Sequence, residues 1–300
     1  MRTIVTGATN GIGEAIARRL AAEGHTVVLV GRVDARLEAA HDRITAAVPG
    51  ADLVLERADF ALLDEVRALA DRLVAGPPPD AVISNAALVA PLDRRTPDGL
   101  PRVVAVNHLA PYLLLRRLTE ACRGRRARFV VVGADPVGLA RMPVDLEDLV
   151  FDHPERLGEP AALRPFVAYA HTKNMNMMFL SALARRLAGT GITVTGAHPG
   201  IIGGTGLGDE APGVAEVVAE LVVAQRYRLD PATLPGPDAG ADTPAWLATA
   251  PEVEGVTGRF FVERAAVDTA PHTTDPARTD RLWDASAALV GLPADMTVEV

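Results

Sequence analysis

Tyr169 and Lys173 stand four residues apart in Tyr169-Ala170-His171-Thr172-Lys173, and Lys173 is the only lysine in a chain of 300 residues. Arginine supplies the side-chain cations everywhere else, so this position asks for what arginine lacks. An ammonium is a compact charge on a flexible stem, and its pKa moves with its surroundings, whereas guanidinium is a permanently charged fork. Four residues apart on a helix, the two side chains share a face. An ammonium beside a phenol stabilises the phenolate and is expected to draw the tyrosine pKa down from about 10. Such a tyrosine can exchange a proton with an alcohol or carbonyl. On the pair alone, a helical tyrosine with a solvated lysine is the plainer reading, and the rest of the chain has to decide.

A second chemical signal lies at the N-terminus. Thr6-Gly7-Ala8-Thr9-Asn10-Gly11-Ile12-Gly13 follows a β-like run and opens a helical pattern, the context a dinucleotide fingerprint requires. Gly7 allows the tight turn, Gly11 lets the backbone approach a pyrophosphate, and Gly13 lets helix and strand pack closely. At the end of the second apolar run the chain reads Val30-Gly31-Arg32-Val33, with no carboxylate placed to grip a ribose diol. Arg32 can neutralise a 2′-phosphate, so NADP(H) is preferred over NAD(H). Asp59, followed by Phe60, is placed to meet the adenine amino group or to cap the next helix.

These residues need a scaffold. Strands are expected at 3–6, 26–30, 53–56, 81–84, 128–132, 193–197 and 259–262. Helices are expected at 13–23, 35–47, 61–73, 100–122, 165–188, 212–228, 243–249 and 276–290. Alternating strands and helices of this length predict an α/β fold: a single doubly wound parallel sheet, a Rossmann fold, with helices on both faces over 1–300. The Gly- and Pro-rich stretch around 200–242 reads as a loop covering the substrate. A formal net charge of −8, with only a short basic stretch at 123–128, leaves no electrostatic footprint for nucleic acid or an acidic membrane. Cys122 is the one cysteine, which excludes an internal disulfide and a cysteine-based zinc site and fits a cytoplasmic protein. His153 and His198 have no metal-ligand spacing. No signal peptide or membrane span is expected.

The glycine turn, Asp59, Asn85-Ala86, Asn107 in Val106-Asn107-His108-Leu109, Tyr169 with Lys173, and Pro199-Gly200 together resemble the short-chain dehydrogenase/reductases over nearly the whole chain. Val106 to Leu109, Ala184 to Leu187, His198-Pro199-Gly200 and Pro251 to Gly258 are similar to the retinol-dehydrogenase-like branch. The resemblance implies Tyr169 as general acid or base, with Lys173 lowering its pKa and holding the nicotinamide ribose. It implies Asn107 in a mid-helix irregularity, anchoring a water that links Lys173 to solvent. Asn85, Ala86 and Ala87 would lie along the cofactor, with Pro199, Gly200 and Ile202 beside the nicotinamide. Such enzymes assemble as homodimers or homotetramers through the helices bearing Asn107 and Tyr169, and members of this branch also occur as monomers.

Three departures stand out. The family serine at the end of the fifth strand falls on Ala134, with Asp135 the nearest polar side chain. Ser84 and Ala87 replace an asparagine and a glycine, and Thr205 is displaced one place after Pro199-Gly200. The leading expectation is an oxidoreductase interconverting a carbonyl and a secondary alcohol in biosynthesis. A non-redox dehydratase, cyclase or epimerase on the same scaffold is the alternative, and a binding-only protein is third. Leu139, Met142, Val144, Phe151, Ile201, Ile202 and Leu207 are expected over the pocket and suggest an apolar small-molecule substrate.

Overall fold

The computed structural model describes residues 1–296, apart from the side chains at positions 212 and 215. In chain order the strands are β1 (Arg2–Thr6), β2 (Thr26–Gly31), β3 (Asp52–Arg57), β4 (Ala81–Ser84), β5 (Ala127–Val132), β6 (Ile192–His198), β7 (Phe260–Val262) and β8 (Ala265–Val267). The helices are α1 (Gly11–Ala22), α2 (Asp34–Ala47), α3 (Leu63–Ala75), α4 (Arg102–Val104), α5 (Ala110–Ala121), α6 (Pro136–Leu139), α7 (Arg164–Arg186), α8 (Pro212–Val217), α9 (Pro237–Thr249), α10 (Pro271–Thr274) and α11 (Pro276–Leu289). All strands form one sheet in the order β3-β2-β1-β4-β5-β6-β7-β8, parallel throughout except for the antiparallel edge pair β7-β8.

Alternation along the strands sends neighbouring residues to opposite faces, and both faces are apolar because helices cover both. Ile4, Val28 and Val30 join the core beneath α3, α5, α7 and α11, whereas Val5, Val27 and Leu29 pack under α1, α2 and α9. The strand order reverses direction between β1 and β4, and the crevice above that switch is where such sheets bind ligands.

The expected strands and long helices are present, with ends shifted by a few residues. The sheet differs at its edge: β8 turns back on β7 through Glu263 and Arg264, both at positive φ (49° and 62°). Two left-handed residues close such a hairpin, a conformation that Glu-Arg does not advertise in sequence. Helix α9 begins six residues before the expected start because Gly240 and Pro244 are accommodated inside it. Residues 200–242 follow β6 as an irregular stretch, then α8, a π-helical run at Val218–Arg226 and a short 3₁₀ turn at Pro231–Thr233.

Candidate active site

A cleft of about 420 Å³ opens at the C-terminal ends of β1, β2, β4, β5 and β6. That volume suits a small-molecule or cofactor site. Gly7 turns with φ +66°, and a Cβ there would stand 2.9 Å from Ala86 Cα. A Cβ at Gly13 would sit 2.2 Å from the Gly7 carbonyl oxygen. The turn is thus too crowded for side chains, and it presents the N-terminus of α1 to the cleft as an anion site. Asn85 ties the end of β4 to this turn: its Nδ2 donates to Thr6 O at 3.0 Å and Gly7 O at 3.4 Å, while Thr6 Oγ1 accepts from the Asn85 and Ala86 amides. Gly7, Thr9, Asn10, Gly11, Ile12, Gly13, Arg32, Asp59, Phe60, Asn85, Ala86, Ala87, Tyr169, Lys173, Pro199, Gly200 and Ile202 all line the cleft. A narrow, glycine-lined crevice with a helix N-terminus at its floor fits a dinucleotide.

Helix α7 brings Tyr169 and Lys173 to the same wall. The Lys173 Nζ lies 5.7 Å from the Tyr169 ring centroid and donates to Val132 O at 2.8 Å. Phe166 stacks on the tyrosine ring at 5.7 Å between centroids and holds its plane. Burial pushes the Tyr169 phenol above its ordinary range and lowers Lys173 to about 8. The direction is opposite to the expected lowering: desolvation of the phenolate is its cause, and the ammonium directs its proton at a backbone carbonyl. A phenol kept protonated is an acid, the form that reduction of a carbonyl requires.

Asn107 lies in a π-helical turn, Ala105–Leu109, between α4 and α5 and does not itself border the cleft. Its Oδ1 accepts from Leu88 N at 2.9 Å, and its Nδ2 donates to Leu88 O at 2.9 Å and Thr172 Oγ1 at 3.1 Å. Asn107 therefore pins the cleft-lining loop after β4 to the residue before Lys173. Asn176 Nδ2 donates to Asn107 O at 2.8 Å and turns its Oδ1 to His108 Nδ1 at 3.1 Å. The other His108 nitrogen, Nε2, meets Ser286 Oγ at 2.8 Å, so the network selects a neutral ring protonated on Nδ1.

Ala134 borders the cleft beside Gly133 and offers no donor there. Asp135 does not take over the serine's place. Its carboxylate caps α6, accepting from Val137 N at 3.0 Å and Gly138 N at 2.9 Å, and it accepts a 2.6 Å hydrogen bond from the Tyr227 hydroxyl. Burial, then the Asp135 contact, pushes Tyr227 up to about 12. His198 also borders the cleft; its Nδ1 is buried without a hydrogen-bond partner among the described residues, and burial lowers its pKa. Of the apolar residues expected over the pocket, Ile202 and Leu207 line it. Leu139, Val144 and Phe151 are instead in the core, and Met142 packs against Leu139 and its neighbours, because the segment after β5 folds inward onto α7. There Asn174 Nδ2 fastens the Leu139 and Met142 carbonyls at 3.1 and 2.6 Å.

The adenosine end of the cleft holds groups that the motifs do not point to. Arg102 and Glu210 line it together with Arg32 and Arg36. Asp59 Oδ1 accepts from Ala61 N at 2.9 Å in the turn before α3, whose first residue is capped by no side chain, and Asp59 borders the cleft. Glu210 is joined to both Arg32 and Arg102. No sequence spacing could announce that cluster, since its members are separated by 108 and 178 residues.

Comparison with known proteins places this geometry. Residues 2–142 match the short chain dehydrogenase family. A Streptomyces sp. (strain C5) protein provisionally named daunorubicin C-13 ketoreductase DnrU is 34% identical over 291 residues, covering 96% of this chain and 92% of the relative. Retinol dehydrogenase 14 of Homo sapiens is 31% identical over 304 residues, covering 96% and 86%. A solved structure of a variant actinorhodin polyketide ketoreductase with NADPH superposes with a TM-score of 0.63 at 22% identity, covering 91% of this chain and 97% of the other, a likeness of fold. With the glycine turn, the Tyr169-Lys173 pair and full-length relatives in agreement, the chain belongs to the short-chain dehydrogenase/reductase family, in its retinol-dehydrogenase-like branch, and is an oxidoreductase of alcohols and carbonyls.

Proposed function

We propose that the protein is an NADP(H)-dependent reductase that interconverts a carbonyl and a secondary alcohol on an apolar small molecule. The observation that carries the reading is the placement of Tyr169 and Lys173 on one wall of the cleft whose floor is the glycine turn and whose far end holds Arg32. The bound nicotinamide supplies the hydride. Tyr169 holds the proton at its hydroxyl and passes it to the substrate oxygen, a role helped by burial of the phenol. Among the described residues no other side chain hydrogen-bonds that hydroxyl, so it is free to meet the substrate. Lys173, fixed by Val132 O, carries its charge beside the tyrosine ring and would hold the nicotinamide ribose. Asn107 is a positioning residue that keeps the loop after β4 and the α7 wall at a fixed distance, and the relay water expected at its turn belongs to this proposal. Ile202 and Leu207 add apolar surface to the cleft lining.

Arg32 supports NADP(H) over NAD(H), as does the NADPH found with the polyketide ketoreductase. The names of DnrU and retinol dehydrogenase 14 support an apolar polycyclic or polyene carbonyl as substrate. Helix α11 lies over α7, with Trp283 against Tyr112 and Phe179, so a homodimer or homotetramer would have to use a surface other than this covered one. A panel of aromatic and polyene ketones and aldehydes, assayed by loss of NADPH or NADH absorbance, tests the proposal. Turnover with NADPH is expected, and a folded, NADPH-binding sample inert across the panel would overturn it.

A further inference from the structure

Arg32 leaves the end of β2 and Arg102 opens α4, and both guanidinium groups converge on one carboxylate, Glu210, in the loop after β6. Arg32 Nη1 donates to Glu210 Oε1 at 2.5 Å. Arg102 donates from Nε to Oε2 at 2.7 Å and from Nη2 to Oε1 at 3.3 Å. Two arginine forks closed on a single oxyanion group form the same arrangement that binds a phosphate monoester. Burial works against charge on Glu210, yet the hydrogen bonds and charges of Arg102 and Arg32 hold its carboxyl below the ordinary range. Asp59 stands 3.9 Å from Arg102 and completes a set of two cations and two carboxylates. With both carboxylates in place that set has no net charge to attract a dianion.

We propose that Arg102 joins Arg32 in seating the 2′-phosphate of NADP(H), and that Glu210 is a built-in rival for this seat which must let go as the phosphate enters. The inference rests on the NADP(H) reading above. NADH carries a hydroxyl at that position, brings no competing anion, and leaves the Glu210 contacts intact. The loop is also tied to the cleft wall, Val89 N donating to Leu207 O at 2.8 Å, and Thr205 lies against Gly11.

Dissociation constants for NADPH, NADH and 2′-phosphoadenosine, measured by calorimetry and nucleotide fluorescence on wild type, Glu210→Gln and Arg102→Met, test the assignment. Thermal melting checks that each variant folds. Glu210→Gln is expected to tighten NADPH and 2′-phosphoadenosine on the order of tenfold while leaving NADH unchanged. Arg102→Met is expected to weaken the same two ligands by a similar factor. If wild type prefers NADPH but Glu210→Gln leaves its affinity unchanged or weaker, Glu210 is no rival and the proposal fails. Equal affinity of wild type for NADPH and NADH would overturn the NADP(H) reading itself, and the seat with it.

Discussion

Lys173 is only 3% exposed, its ammonium donates to the Val132 carbonyl, and burial lowers its pKa to about 8. Carbonyl reduction needs Tyr169 protonated, which burial favours, and Lys173 charged, which holds only below that value. The rate of reduction is therefore expected to be level near neutral pH and to fall as pH rises through about 8, read from kcat/KM profiles. A profile flat to pH 10 would mean that the ammonium does not act in the rate-determining step. The two residues were legible in sequence because proton exchange beside a dinucleotide restricts residue types, and a lone lysine in an arginine-rich chain marks its own position. The direction of the tyrosine shift was not legible, because it depends on how much solvent the fold removes from the phenol. Arg102 and Glu210 were illegible for a different reason: their pairing is set by the path of the loop after β6, which periodicity does not encode. Ala134 was legible as a departure, and the structure adds that Asp135 is committed to capping α6 and to Tyr227.

The π-helical turn between α4 and α5 is an element with a specific task. It presents Asn107 to the loop after β4 and His108 to Asn176 and Ser286, locking α7 and α11 onto one junction. His108 is buried, and desolvation lowers its pKa to about 4. Between pH 6.5 and about 4 the unfolded chain binds a proton that the folded chain does not, so stability is lost as pH falls through that window, by about 3 kcal/mol in all. Urea denaturation at pH 7 and pH 4.5 should show this loss, and His108→Gln should make the dependence shallower. An equal pH slope in the variant would assign the acid sensitivity to other groups. The irregularity itself was expected at Asn107 from the family resemblance, whereas the antiparallel β8 and the early start of α9 were missed. Both misses follow from local rules that tertiary structure overrode: Glu263 and Arg264 adopt positive φ, and Pro244 is carried within a helix.

At the scale of the whole molecule, the parallel strands were readable because strands buried on both faces appear as short apolar runs separated by amphipathic helices. The cover supplied by α11 was not, since only the fold shows that Trp283 stacks on Phe179 and takes Arg186 over its ring at 4.1 Å. Among the described residues no helix is long and apolar enough to cross a membrane. The sheet thus gathers the Tyr169-Lys173 wall, the glycine floor and the arginine end into a single cleft. In the proposed reaction Tyr169 delivers the proton. The most direct test is single-turnover oxidation of NADPH by a ketone substrate, comparing wild type with Tyr169→Phe while nucleotide fluorescence monitors binding. The prediction is a loss of at least about a hundredfold in the rate of NADPH oxidation with NADPH affinity retained. An unchanged rate in the phenylalanine variant would contradict the assignment of the acid to Tyr169.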